Sequence, residues 1–259
     1  MLAVLAEADR STGLPRLGGM ARPDGVAIVT ERVWCFGRAD GGESAVGRMP
    51  RPPALAARLP LLRGVAKLGV SLAPLFSRRG TAPMRERLLL VAALLLPLPL
   101  ALVPGSYRTA ALAASIVLLL GWMLRGRTLR LHGAEHRAIA AAELRRLVDT
   151  WHGRARPSRF SLRCGTNFAA LLIPVSVLLE RVWLLPSSAL TPVFVSAAAL
   201  TLTMEIWIAA QRWLTSLGRL LMLPGLVLQR LTTREPGLED TRVALRALAG
   251  ALVAHRGAE

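Results

Sequence analysis

Two of the four histidines in this 259-residue chain lie four positions apart, in the string HGAEH at 132–136. On a helix, His132 and His136 fall on one face one turn apart, with Glu135 beside them, and Glu143 returns to that face two turns later. Two imidazoles at this spacing can bind one cation at Zn–N distances of about 2.0–2.1 Å. H-x-x-E-H is also the core of the inverted zinc-peptidase motif, whose glutamate activates water. The sequence therefore predicts a divalent metal site, with zinc as first candidate, liganded by His132, His136 and Glu143, and with Glu135 as general base.

The same residues also fit an ordinary helix start at an aqueous surface. Histidines and acids are common there, and an acid near a helix N-terminus is stabilised by the helix dipole. The five-residue motif alone does not distinguish a metal site from a solvated helix end.

A second polar string, SRFSLRCGTNF at 158–168, directly precedes an apolar run, as HGAEH directly follows one. The two strings therefore flank one connection and can meet at one surface. Cys164 can act as a thiolate ligand or a nucleophile, favoured by Arg163 and by the helix predicted to start at Asn167. A small buried cysteine at the start of a helix is the alternative.

Apolar segments account for much of the rest of the chain, which is 53% hydrophobic. Leu88–Pro104 and Thr109–Leu124 are separated by GSYR and predict one helical hairpin, since about 20 apolar residues cross a bilayer. A second hairpin is predicted from about Asn167 to Ala210. Glu205, inside its second arm, is interpreted as an interfacial carboxylate neutralised by Arg212.

The chain carries 33 basic and 16 acidic residues, a formal charge of +17. A soluble nucleic-acid binder would explain this charge but not the long apolar runs, so no nucleic acid is expected as a partner. Basic residues flank both outer ends of the first hairpin, which the positive-inside rule places in the cytoplasm together with both termini. These flanking residues are Arg78, Arg79, Arg85, Arg87, Arg125, Arg127 and Arg130.

The predicted fold is mainly α, a polytopic membrane protein with about four transmembrane helices in two hairpins. Residues 1–80 form a cytoplasmic region with short β-strands (GVAIVTERVWCFGR) and an interfacial helix at Leu59–Phe76. Residues 81–211 form the membrane domain, with the HGAEH and RCGT strings on a cytoplasmic connection at 131–166. Residues 212–259 form cytoplasmic amphipathic helices, including Thr241–Ala254 at the end of the chain.

Five strings occur in a fixed order between about Gly18 and Leu248, namely LGG…DGV, LPLLRGVAKL, HGAEHR, RCGTNF and PGLVLQRLTTREP. In this combination the chain resembles the YqhQ-like family, bacterial multi-pass membrane proteins of unknown function that are often labelled metal-dependent enzymes. The resemblance implies a bacterial inner-membrane location and a metal site. The residues retained at that site are His132, Glu135, His136, Glu143 and Cys164.

Three positions depart from the family strings. Ser161 stands where the family has a histidine, Asp24 stands at the usual glutamate, and Arg242 replaces a glutamate after TTREP. The lost imidazole removes a ligand or proton carrier, and Arg242 reverses a charge. The resemblance is therefore to a divergent member, with metal binding weakened or lost.

Three functions remain open. The first is a membrane metalloenzyme that hydrolyses its substrate, with Glu135 and Cys164 as its catalytic residues. The second is a non-catalytic scaffold or assembly factor whose arginine-rich face binds an acidic protein or anionic lipid. The third, ranked last, is a transporter that uses Glu180 and Glu205 and forms a homo-oligomer, because four spans are few for a transporter.

Overall fold

The computed structural model describes residues 1–59, 62–77, 80–96, 125–184, 190–212 and 216–258, with Ser188 and single positions between 97 and 124. The described strands are β1 (Gly18–Arg22), β2 (Gly25–Val29), β3 (Val33–Arg38) and β4 (Ala45–Arg48). The described helices are α1 (Leu2–Arg10), α2 (Ala54–Arg58), α3 (Leu62–Phe76), α4 (Met84–Leu95), α5 (Thr128–Glu143), α6 (Leu147–Trp151), α7 (Gly165–Arg181), α8 (Thr191–Arg212), α9 (Ser216–Thr232) and α10 (Leu238–Arg256). The predicted span Thr109–Leu124 and the end of Leu88–Pro104 lie largely outside the described residues.

The N-terminal strands form one antiparallel sheet in the order β1-β2-β3-β4. The turn between β2 and β3 is fixed by Thr30, whose hydroxyl bonds to both the N–H and the C=O of Val33, each at 3.1 Å. The sequence predicted the two inner strands, which are rich in apolar and β-branched residues. It missed β1, which begins with two glycines, and β4, a four-residue edge strand.

Helices α5 and α10 pack on this sheet and form the main core with α1 and α6. The core contains large fully buried side chains such as Leu131 and Leu248, and many alanines that let the backbones approach closely. The sequence predicted Thr241–Ala254 as a terminal amphipathic helix. In the structure this helix extends from Leu238 to Arg256, and its buried residues make it a central element of the core.

Helices α7, α8 and α9 pack against one another, and α3 lies against α8. Among the described residues, only Thr191–Gln211 of α8 forms a helix long and apolar enough to cross a membrane, with a mean hydropathy of 1.8. Helix α7 has 17 residues, fewer than the roughly 20 of a usual span. The structure therefore shows a mainly helical protein with a small sheet and one candidate span, and four spans are not shown.

Ion pairs connect the apolar helices to one another and to the sheet. Glu205 of α8 pairs with Arg63 of α3, a partner that the sequence did not predict. The predicted partner Arg212 has a side chain outside the described set. Glu86 of α4 pairs with Arg22 of β1 and with Arg125, at 2.5 and 3.1 Å.

Candidate metal centre

Three side chains converge where α5 meets the start of α7. The donor atoms of His132, His136 and Cys164 all lie within 4.8 Å of one another. The Sγ of Cys164 is 3.3 Å from Nε2 of His132, and the two imidazole centroids are 4.5 Å apart. Helix α5 places both histidines on one face because they are one turn apart.

Backbone carbonyls fix the protonation of both imidazoles. Nδ1 of His132 lies 2.8 Å from the carbonyl oxygen of Thr232, and Nδ1 of His136 lies 2.6 Å from that of Arg159. A carbonyl oxygen only accepts, so each Nδ1 carries a hydrogen, and in the neutral imidazole Nε2 then has the lone pair that a metal binds. Metal-binding histidines are oriented in this way by outer hydrogen-bond partners.

Cys164 is the N-cap of α7, and its Sγ accepts a hydrogen bond from the backbone N–H of Thr166 at 3.4 Å. The hydroxyl of Thr166 lies 3.2 Å from the same sulfur. A cysteine sulfur held at this point is a soft donor of the kind that zinc binds.

The donor set fits a divalent ion of zinc type. In a tetrahedral zinc site with N and S ligands, neighbouring donor atoms are about 3.3–3.6 Å apart. The Sγ–Nε2 distance of 3.3 Å is already in this range, and the other donor–donor distances, which are at most 4.8 Å, reach it by side-chain movement. Three protein ligands leave one tetrahedral position open, as in catalytic rather than structural zinc sites.

Glu143, predicted as a third metal ligand, lies outside this group. Its exposed carboxylate pairs with Arg163 at 2.5 Å. A helix rises about 1.5 Å per residue, so a position seven residues after His136 shares its face but is about 10 Å further along the axis. Cys164 supplies the third donor instead.

Glu135, predicted as the general base, is buried between α5 and β1. Its side chain occupies the space that a side chain at Gly19 would need. Burial raises the pKa of this carboxyl to about 7, and a positive charge on His132 would act in the opposite direction. Glu135 is therefore next to the donor group without being part of it.

Arg137 holds the segments that carry the two carbonyl acceptors, a role that the sequence reasoning missed. Its buried guanidinium donates to the carbonyls of Pro157 and Pro236, at 3.1 and 3.4 Å, and to Glu235 at 2.5 Å. Pro157 lies shortly before Arg159 in the chain, and Glu235 and Pro236 lie shortly after Thr232. The arginine of the HGAEHR string was the available signal.

Gly133 lets the chain after α9 lie directly on α5. A Cβ at this position would overlap the carbonyl oxygen of Arg234, whose N–H donates to the carbonyl of Leu129 at 2.9 Å. The TTREP string and the HGAEH string are therefore in contact in space.

Two buried amides hold the segment before Cys164. Gln229 of α9 accepts from the N–H of Ser161 at 2.9 Å and donates to its carbonyl at 2.7 Å. It also donates to Asn167 at 3.1 Å. Position 161, where the resemblance implied a histidine, is thus tied to α9 through its backbone.

Comparison with known proteins identifies the family of this chain. Residues 81–254 match the family described as "Protein of unknown function (DUF1385)". The chain is 34% identical over 147 residues to "Uncharacterized protein YqhQ" of Bacillus subtilis (strain 168), over 50% of this chain and 44% of that protein. The match thus spans less than half the length of this relative, and no solved structure matches the chain. The chain belongs to the DUF1385 family of proteins of unknown function, as a divergent YqhQ-like member.

Proposed function

We propose that this protein is an integral membrane metalloprotein whose His132, His136 and Cys164 bind zinc or a related divalent ion for a hydrolytic reaction. The observation that carries this proposal is the orientation of the two imidazoles by backbone carbonyl groups. Both Nδ1 atoms face carbonyl oxygens, so Nε2 of each neutral ring has its lone pair available, and Nε2 of His132 lies 3.3 Å from the cysteine sulfur. A solvated helix end would not require this set of partners.

In this proposal the ion supplies Lewis acidity that activates water or polarises a carbonyl or phosphoryl oxygen. Glu135 is the proton acceptor, because its carboxyl group is buried on α5 directly beside His136 in the chain. Arg137 keeps both imidazoles in place through the segments it binds.

The membrane location is part of the proposal. It is supported by the candidate span in α8 and by the large apolar side chains that α7 and α9 leave exposed, including Ile173, Val177 and Val227. We propose the two-hairpin arrangement of the sequence analysis, with both termini on the cytoplasmic face of a bacterial inner membrane. The proposed regions 1–80, 81–211 and 212–259 are in contact with one another. Helix α10 of the third region packs on β2 and β3 of the first and on α5 of the second.

Metal analysis tests the proposal. The detergent-purified protein should retain close to one zinc per chain after dialysis, and His136→Ala or Cys164→Ala should retain much less. His152→Ala is the matched control, since His152 is exposed and not part of the donor group. Equal and near-zero zinc in all four proteins would exclude the metal site, and recovery in a salt-washed soluble fraction would exclude the membrane location.

A non-catalytic scaffold is the second candidate. Arg242, which replaces a family glutamate, pairs with Glu239 at 2.7 Å and packs over the ring of Trp151, so its charge is used structurally. If a His132→Ala/His136→Ala double variant restored a deletion strain as well as the wild type does, the scaffold would be favoured over the enzyme.

A further inference from the structure

The candidate metal centre lies at the end of the apolar helices. Cys164 directly precedes α7, and Thr232, whose carbonyl orients His132, is the last residue of α9. The exposed apolar surfaces of these two helices therefore end in the same region as the centre.

Exposed apolar side chains flank both carbonyls that orient the imidazoles. Leu231, next to Thr232, is 71% exposed, and Phe160, next to Arg159, is 37% exposed. Exposing such large side chains to water beside a polar site is unfavourable, whereas contact with acyl chains removes this apolar area from water.

Uncommitted positive charge lies on the same segments. Arg156, Arg230 and Arg234 are exposed, and no acidic side chain in the described ranges forms an ion pair with them. A shallow, open surface depression of about 450 Å³ lies beside Phe160. It is lined by Arg137, Arg156, Pro157, Ser158, Arg159, Phe160 and Glu235.

We propose that the centre acts on a phospholipid-like amphiphile with an anionic phosphate headgroup that enters from the bilayer. Its acyl chain would lie on Leu231 and Phe160, and its phosphate would be bound by the free arginines, whose planar guanidinium groups match phosphate oxygens. A soluble substrate would use the arginines but would leave the apolar flank without a function. This inference rests on the proposed membrane location and deepens the proposed function by naming its substrate class.

Photo-crosslinking in lipid nanodiscs tests the proposal. The photoreactive residue benzoylphenylalanine replaces Leu231 or Phe160 in the full chain, in bilayers of phosphatidylcholine with or without phosphatidylglycerol. Mass spectrometry should detect lipid adducts at both positions, enriched several-fold in phosphatidylglycerol over its share of the bilayer. The same replacement at Phe194, exposed on the candidate span, should give adducts without headgroup preference. At Leu144, exposed at the end of α5, it should give none.

The outcomes separate this inference from the proposed function. Without adducts at Phe194, the membrane location fails, and the inference fails with it. With adducts at Phe194 but none at Leu231 and Phe160, the protein is in the membrane but the centre is closed to lipid, which overturns the inference. Enrichment should disappear in an Arg230→Gln/Arg234→Gln variant. If glycerol 1-phosphate at the concentration of the lipid headgroups abolishes the adducts, the site binds a soluble phosphate and the amphiphile is excluded.

Discussion

The sulfur of Cys164 lies 3.3 Å from Nε2 of His132, although 32 positions separate the two residues. This contact joins the HGAEH string to the RCGT string and places a soft ligand beside two imidazoles. An isolated helix end would not bring two imidazoles and a cysteine sulfur together. The first prediction therefore tests the sulfur as a metal ligand.

Cobalt(II) in the place of zinc should report the thiolate directly. The wild-type protein loaded with cobalt should show a sulfur-to-metal charge-transfer absorption, and Cys164→Ser should lack it. The affinity for the ion should fall by more than the ~10–100-fold typical of losing an outer hydrogen-bond partner. Cys35→Ala is the matched control, because Cys35 is buried in the core with α10 and its loss should leave the absorption unchanged. An unchanged spectrum in Cys164→Ser would remove the cysteine from the ligand set.

Arg137 should affect metal binding without touching the metal. Arg137→Gln removes hydrogen bonds to two chain segments, so the imidazoles lose part of their orientation, and affinity for the ion should fall by about 10–100-fold. Arg137→Lys should recover only part of it, since an ammonium lacks the fork geometry. Competition with a zinc chelator measures the affinity.

Arg163→Ala is the control for Arg137. It also removes an arginine near the site, but from an exposed pair with Glu143, which is worth only about 0–1 kcal/mol. If Arg137→Gln and Arg163→Ala bound the ion equally well, the positioning role of Arg137 would be excluded.

The sequence made the donor residues visible but not their partners. His132 and His136 follow from the periodicity of a helix, and Cys164 from a polar string placed before an apolar run. Glu143 was included because helical periodicity gives the face on which a side chain lies but not its distance along the helix axis. Arg137 was missed because its bonding partners lie 20 and 99 positions away, and the HGAEHR string marks the residue without identifying those partners.

The same limit applies to the fold. Strands β2 and β3 were predictable because their apolar runs are continuous. The central position of α10 depends instead on its tertiary contacts with β2, β3 and α5, which a local sequence pattern does not identify. Four membrane spans also stay a prediction, because Thr109–Leu124 and the end of Leu88–Pro104 lie largely outside the described residues.

Gly133→Ala should destabilise the protein. A methyl group there overlaps the Arg234 carbonyl, and overpacking of this kind costs about 1–3 kcal/mol. The thermal unfolding midpoint in detergent should fall, and zinc retention should fall with it because the Thr232 carbonyl is displaced. Gly165→Ala is the matched control, since Gly165 also adjoins a donor residue but has open space around its Cβ position. Equal midpoints for the two variants would contradict the close approach.

Cys35 should make the stability of the folded state fall in alkaline solution. Burial raises the pKa of its thiol from 9.0 to about 11, so between these values the folded protein keeps a proton that the unfolded chain loses. The contribution of this thiol is complete below pH 9 and decreases as the pH rises towards 11, by on the order of 2 kcal/mol in the free energy of unfolding. Few other groups titrate in this range, since the chain has one tyrosine, one lysine and one other cysteine. Denaturant unfolding of wild type and Cys35→Ala at several pH values measures the effect. The stability difference between the two proteins should shrink above pH 9, and a constant difference would mean that the thiol is not desolvated in the folded state.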